Sequence, residues 1–204
     1  MIGPEGASDA VADLLETHLA GNVTRLTTRL ESLAGVPRIQ RELYQPARIE
    51  PRQLLDLPVD DWPAFLVVAR RTTAIAPVDI AADTAAASAT VYRFTYELRV
   101  FIYARGVDEV AADLARKRLT LAVRETLLEH LAFTTTVGTE TVTGQIDPLS
   151  LLEEYQDIGG DEDTDDVVAS AYVAVSVSLD EVTPHAEALE ERAAPATITH
   201  PALD

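Results

Sequence analysis

The residues that could carry chemistry are few and scattered. Four histidines, His18, His130, His185 and His200, stand apart, and none falls in an HExxH or comparable metal-ligand spacing. His130 is expected in the last turn of a long helix. A cation is favoured there by the helix dipole, which is a structural role and not that of a general base. The densest acidic run, Gly159-Gly160-Asp161-Glu162-Asp163-Thr164-Asp165-Asp166, alternates Asp161, Asp163 and Asp165 as a calcium loop would. It lacks the central glycine and closing glutamate of an EF-hand, so a solvated acidic loop is the expectation. In an oligomer such loops could instead ring a central channel, repelling DNA and letting it slide. No GxGxxG, P-loop or GxSxG occurs, and no cysteine is present to act as nucleophile, disulfide or zinc ligand. The expectation is a protein that is not an enzyme and uses no metal or cofactor.

Composition narrows the classes further. A chain of 204 residues fits one domain, or one domain with appendages, and can bury a core without staples. Its hydrophobic share of 47% is too rich for wholesale disorder. Against 16 basic residues stand 34 acidic ones, a formal charge of −18, which argues against a sequence-reading nucleic-acid binder. Lys117 is the only lysine, a bias that fits a GC-rich genome or a salt-adapted host. No segment has the roughly eighteen apolar residues of a membrane span. Met1 to Asp13 lacks the pattern of a signal peptide, so the sequon Asn22-Val23-Thr24 carries little weight and a soluble intracellular chain is expected.

The elements follow from periodicity. A helix is predicted from Ser8 or Asp9, with Val11, Leu14, Leu15 and Leu19 at helical spacing and a stop at Gly21-Asn22. A weaker helical pattern covers Leu26, Leu30 and Leu33. From Val36 to Pro63 five prolines (Pro37, Pro46, Pro51, Pro58, Pro63) predict a segment that wraps over the domain. Phe65 to Ala69 reads as a buried strand leaving at Arg70-Arg71, with Thr72 to Ile80 as another strand broken at Pro77. Ala81 to Ala89 reads as a loop. Tyr92 to Ala104 alternates as a strand with one face on a core, and Phe101 and Tyr103 imply that the other face is covered at that end.

Asp108 should cap a helix over Val107 to Leu131. Val107, Val110, Ala111, Leu114, Leu121 and Leu128 share one stripe, and Leu119, Val123, Leu127 and Leu131 open a second one nearly opposite. The C-terminal half is therefore expected to be buried on two sides, against the sheet and against another helix or subunit. Arg118 and Glu125 lie near the middle of the first stripe, where they either snorkel or make a polar contact across a subunit boundary. Thr134 to Thr143 predicts a hairpin around Gly138, Asp147-Pro148 a short helix to Tyr155, and Val167 to Leu179 a last alternating strand. Residues 1–182 are read as one α+β unit with a proline-rich wrap at 36–63. Residues 183–204 are read as an acidic Ala/Glu/Pro tail, flexible or docked on a partner.

The order of phrases from Trp62 to Leu179 carries a resemblance. Trp62-Pro63-Ala64-Phe65-Leu66-Val67-Val68 is followed by the strand ending Tyr96-Glu97-Leu98-Arg99-Val100-Phe101-Ile102-Tyr103. Then come the helix Glu109 to Leu131, Ile146-Asp147-Pro148-Leu149-Ser150-Leu151-Leu152-Glu153-Glu154-Tyr155, an acidic loop and a Val/Ala strand. This resembles the tail terminator (tail completion) proteins of long-tailed bacterial and archaeal viruses, over a little more than half of the chain. The resemblance implies an α+β fold, a mixed and mainly antiparallel sheet with helices packed mostly on one face. It implies a homohexameric ring that caps the tail tube, stops tube polymerisation and meets the head-side connector or stopper, while genomic DNA passes through unbound. The expected location is the virion, at the head–tail junction, after synthesis in the host cytoplasm.

On that reading Arg118, Glu125, Leu119, Val123 and Leu127 would pack against a neighbouring subunit. Asp161, Glu162, Asp163, Asp165 and Asp166 would line or fringe the channel. Two alternatives stay open: another neck, connector or tube protein, and a cytoplasmic ligand-binding module with its pocket under Ala81 to Ala89.

Overall fold

The computed structural model describes residues 3–33, 39, 44–52, 58, 61–78, 89–137, 140–160 and 167–184. Two helices, α1 (Gly3–Glu31) and α2 (Glu109–Glu129), pack against six strands: β1 (Arg48–Glu50), β2 (Ala64–Pro77), β3 (Ala89–Gly106), β4 (Ala132–Val137), β5 (Glu140–Gly160) and β6 (Val167–Pro184). The strand order is β1-β2-β3-β6-β5-β4; β1 runs parallel to β2 and every other neighbouring pair is antiparallel. The expected α+β class, with helices packed on a mainly antiparallel sheet, is what the chain adopts.

The core lies between the helices and one face of the sheet. β3 contributes Tyr96, Leu98, Val100, Ile102 and Ala104, and β6 contributes Val173, Val175, Val177 and Leu179, so the period-two pattern of both strands marks the buried face. Leu15, Leu19, Val23 and Leu26 of α1 close the core from above. On the other face, Trp62 lies 5.5 Å from Tyr103 and Tyr172 lies 5.6 Å from Phe101, ring centroid to centroid. This is the cover that the two aromatic residues of β3 implied.

Three local expectations are corrected, each by a tertiary contact. The first helix neither starts at Ser8 nor stops at Gly21-Asn22. Ser8 is buried in the second turn, where its hydroxyl donates to the Pro4 carbonyl and accepts from the Ala69 N–H of β2 at 3.0 Å. Asn22, read as a terminator, is also buried, and its side-chain amide donates to the Thr126 hydroxyl of α2 at 2.7 Å. That bond gives Asn22 a partner inside the helix pair and the helix continues for nine residues to Glu31.

Arg70-Arg71 does not mark an exit, because β2 continues as one strand to Pro77 through two register shifts, at Ala69/Arg71 and Thr72/Ala74. Asp147-Pro148 opens no helix. Asp147 accepts from the Leu149 N–H at 2.9 Å, and the Ser150 hydroxyl donates to the Asp147 carbonyl while accepting from the Ser176 N–H of β6. These bonds make a bulge in β5, between Asp147 and Leu152, where the sequence pattern suggested a helical turn.

Two glycines are fixed by close approach. A Cβ on Gly106 would collide with the backbone nitrogen of Ala112, so β3 can enter α2 this tightly only without a side chain. A Cβ on Gly144 would strike the Phe133 ring, which covers that position from its partner strand β4. Gly21 is the opposite case, since a Cβ there meets nothing within 4 Å. Gly21→Ala should therefore stabilise the fold by about 1 kcal/mol, the propensity difference in an exposed helix interior. A higher thermal midpoint is expected; a lower one would mean that the position serves a contact outside this chain.

Candidate functional site

The decisive element is α2, because its two apolar stripes have opposite fates. Asp108 caps it as expected, accepting from the Ala111 N–H at 2.7 Å. Leu119, Val123 and Leu127 have no exposed surface at all and belong to the chain's own core. Their expected place at a subunit interface is corrected accordingly, since a side chain with no surface offers nothing to a neighbour. The second side that buries this half of the helix is α1.

Arg118 and Glu125 also find partners within the chain. The Arg118 guanidinium donates to the Tyr44 hydroxyl at 2.9 Å and lies 5.6 Å from that ring. Glu125 accepts from Arg29 of α1 at 2.7 Å and lies near Arg25, which pairs with Glu129. Both residues thus pin α2 to its surroundings. Exposed pairs of this kind contribute little each, about 0–1 kcal/mol.

The first stripe is the one left open. Val107 is 79% exposed and Val110 69%, and Leu114 and Leu128 are exposed as well, all on the side turned away from the sheet. Val107 stands just before the Asp108 cap, and on α2 itself the exposed Val110, Leu114 and Leu128 flank Leu121, which is half-buried against the core. Together they make a short apolar ridge of the kind that packs on another protein surface. Leu149, at the crest of the β5 bulge, is 94% exposed. Sequence reasoning found both stripes on α2 but assigned the neighbour to Leu119, Val123 and Leu127.

The face of the sheet away from the helices is polar and internally matched. Arg93 forks onto Asp180 with two bonds of 2.7 and 2.8 Å, Arg71 pairs with Glu97 at 2.7 Å, and Arg99 lies 4.6 Å from the Tyr172 ring. The Tyr172 hydroxyl in turn donates to Glu154. Positive and negative groups alternate across four strands, so the described residues of this face present no basic track for a nucleic-acid backbone.

The five acidic loop residues, Asp161, Glu162, Asp163, Asp165 and Asp166, lie outside the described residues; the segment joins Gly160 to Val167, which pair with each other. The loop Ala81 to Ser88 and residues 185–204 lie outside as well. Among the described residues no group of three metal-binding side chains occurs, and no helix is long and apolar enough to cross a membrane.

One feature was not anticipated. His18 of α1 and His130 at the end of α2 stack, with ring centroids 3.8 Å apart, beside a cavity of about 240 Å³ that Asp13, Thr17, Phe133 and Thr135 help to line. Burial, and next the neighbouring His18, hold His130 below its usual range, with Glu129 opposing. The helix-dipole role as a cation is therefore not favoured. Because the folded pKa lies below the unfolded one, the unfolded chain binds the extra proton first. Stability should fall as pH drops through about 6.5, and His130→Gln should flatten that decline in thermal unfolding curves. An unchanged pH profile in the variant would contradict it.

Neither a family model nor a curated protein sequence matches this chain.

Proposed function

We propose that this chain is a structural virion protein that assembles with its own copies into a ring at the head-proximal end of a tail tube. There it ends tube polymerisation and joins the tail to the head connector. The observation that carries the proposal is the apolar ridge on the outer face of α2, directed away from the core that the same helix completes. Exposed apolar side chains repeated along one helix face suit a second protein surface, and among the described residues Val110, Leu114 and Leu128 stay exposed. The resemblance over Trp62 to Leu179 supplies the kind of assembly. The charge of −18 suits a ring through which DNA passes without binding. The partners on this reading are the chain itself, the tube protein below and the connector or stopper above.

Electron microscopy of the purified protein tests it. Closed rings of one size are expected. Filaments would make the chain a tube protein, and single particles stabilised by a small molecule would favour a ligand-binding module.

A further inference from the structure

The sheet ends in two open edges that complement each other. Beyond Leu66, where β1 stops pairing, no described strand lies on the outer side of β2. At Ala69 the outward N–H is taken by Ser8, and Arg70–Pro77 is exposed throughout. On the opposite side β4 pairs only as far as Gln145 and the Ile146 N–H is taken by the Leu131 carbonyl, so β5 from Asp147 to Gly160 has no described strand on its outer side; its Gln156 carbonyl is taken by Arg116. Such rows of unpaired N–H and C=O groups are templates for adding a strand.

Polarity and length fit the two edges to one another. β2 runs opposite to β3, β3 to β6 and β6 to β5, so β2 and β5 point in opposite directions. A second copy set beside the first in the same orientation therefore meets it as an antiparallel pair. Each edge has a short regular run, Ala74–Ala76 on β2, ended by Pro77, which has no N–H to offer, and Leu152–Tyr155 on β5. Exposed Ile75 lies in one and exposed Leu152 in the other. The open part of β2 lies beside Tyr92–Leu98 of β3. The regular open run of β5 lies at the other end of the sheet, beside Ala171–Ala174 of β6. Joined copies are then staggered along the strands, which closed sheets accommodate by tilting the strands against the axis.

We infer that copies of this chain join head to tail, with the β2 edge of one subunit pairing antiparallel to the β5 edge of the next. This rests on the ring reading and names the contact that closes it. A heterologous contact of this kind generates rings, whereas a contact of one patch with itself stops at a dimer.

Ile75→Lys places a lysine on the β2 edge and Leu152→Lys one on the β5 edge, both at exposed positions. By light scattering each variant alone should be monomeric with an unchanged thermal midpoint. An equimolar mixture should give a dimer of about twice 22.1 kDa, because each variant keeps the edge the other has lost. If either lysine impairs folding, Ile75→Glu and Leu152→Glu at the same exposed positions serve instead, with the same expected outcomes. A ring that survives Ile75→Lys, or a mixture that stays monomeric, overturns the edge pairing while leaving the ring. An unaltered protein that never assembles overturns the ring reading and the edge pairing together.

Discussion

Glu181→Ala should destabilise the folded chain by about 3 kcal/mol, because it removes a buried charge that holds three elements together. Glu181 of β6 is only 1% exposed. It accepts a 2.5 Å hydrogen bond from the Tyr96 hydroxyl of β3, and both its oxygens lie 3.2 Å from the Gly3 N–H at the start of α1. The free amides of a helix N-terminus favour a negative group, so this carboxylate explains why α1 begins at Gly3, well before the serine that the sequence suggests as a cap. Truncation leaves the Tyr96 hydroxyl and the first amide without an acceptor in a closed site. Urea unfolding should show a lower midpoint with an unchanged slope. A loss below about 1 kcal/mol would mean that water replaces the carboxylate.

The same contact predicts an alkaline limit. Burial, and next the bond to Glu181, push the Tyr96 hydroxyl well above the usual tyrosine range. The unfolded phenol ionises near pH 10 while the folded one keeps its proton, so stability should decline as pH rises above about 10. Tyr96→Phe should show a shallower decline there. A parallel decline would assign the alkaline limit to other groups.

Arg116→Ala is the second large effect expected, also about 3 kcal/mol, since it removes a buried guanidinium and leaves the acceptors arranged around it without their donor. Arg116 of α2 is 7% exposed. Its guanidinium donates to the Gln156 carbonyl in the second irregularity of β5, reaches the Ser170 carbonyl of β6 at 3.4 Å, and pairs with Asp113. It also lies 5.4 Å from the Tyr155 ring. A lysine cannot reproduce this fork, so Arg116→Lys should recover only part of the loss. Lys117, and next Arg116, hold the Asp113 carboxylate below its usual range, so its contribution is present above about pH 4 and is lost as pH falls further. A lysine variant as stable as the unaltered chain would show that only the charge, and not the fork, matters.

Why α2 was misread explains how much of this protein is legible from its sequence. The alternating strands β3 and β6 were plain, because one strand face is apolar and the other is not. On α2 both stripes were legible, but the neighbour was assigned to Leu119, Val123 and Leu127, which the core takes, and not to exposed Val110 and Leu114. The helix approaches the sheet closely through Ala112, Ala115 and Ala122, with Thr120 and Thr126 bonded to their own helix carbonyls. Small residues carry little hydrophobic weight, so the pattern understates how much of the buried face they make up. Arg116 falls on the same buried face as Leu119 and Val123, and an arginine at that phase was the available signal. Asn22, Ser8 and Asp147 misled for a common reason: each can bond its own backbone or a distant group, and only the fold decides which. Glu181 gave no signal, since nothing local in a strand shows that a helix N-terminus will arrive beside it.

The central claim, that this chain is a subunit and not a finished unit, is tested most directly by its solution mass from light scattering in low and in molar salt. A homohexamer of 22.1 kDa subunits, about 130 kDa, is expected, with salt favouring it by screening the repulsion among strongly acidic copies. A monomer in both salts at concentrations well above those of a virion assembly reaction would contradict it.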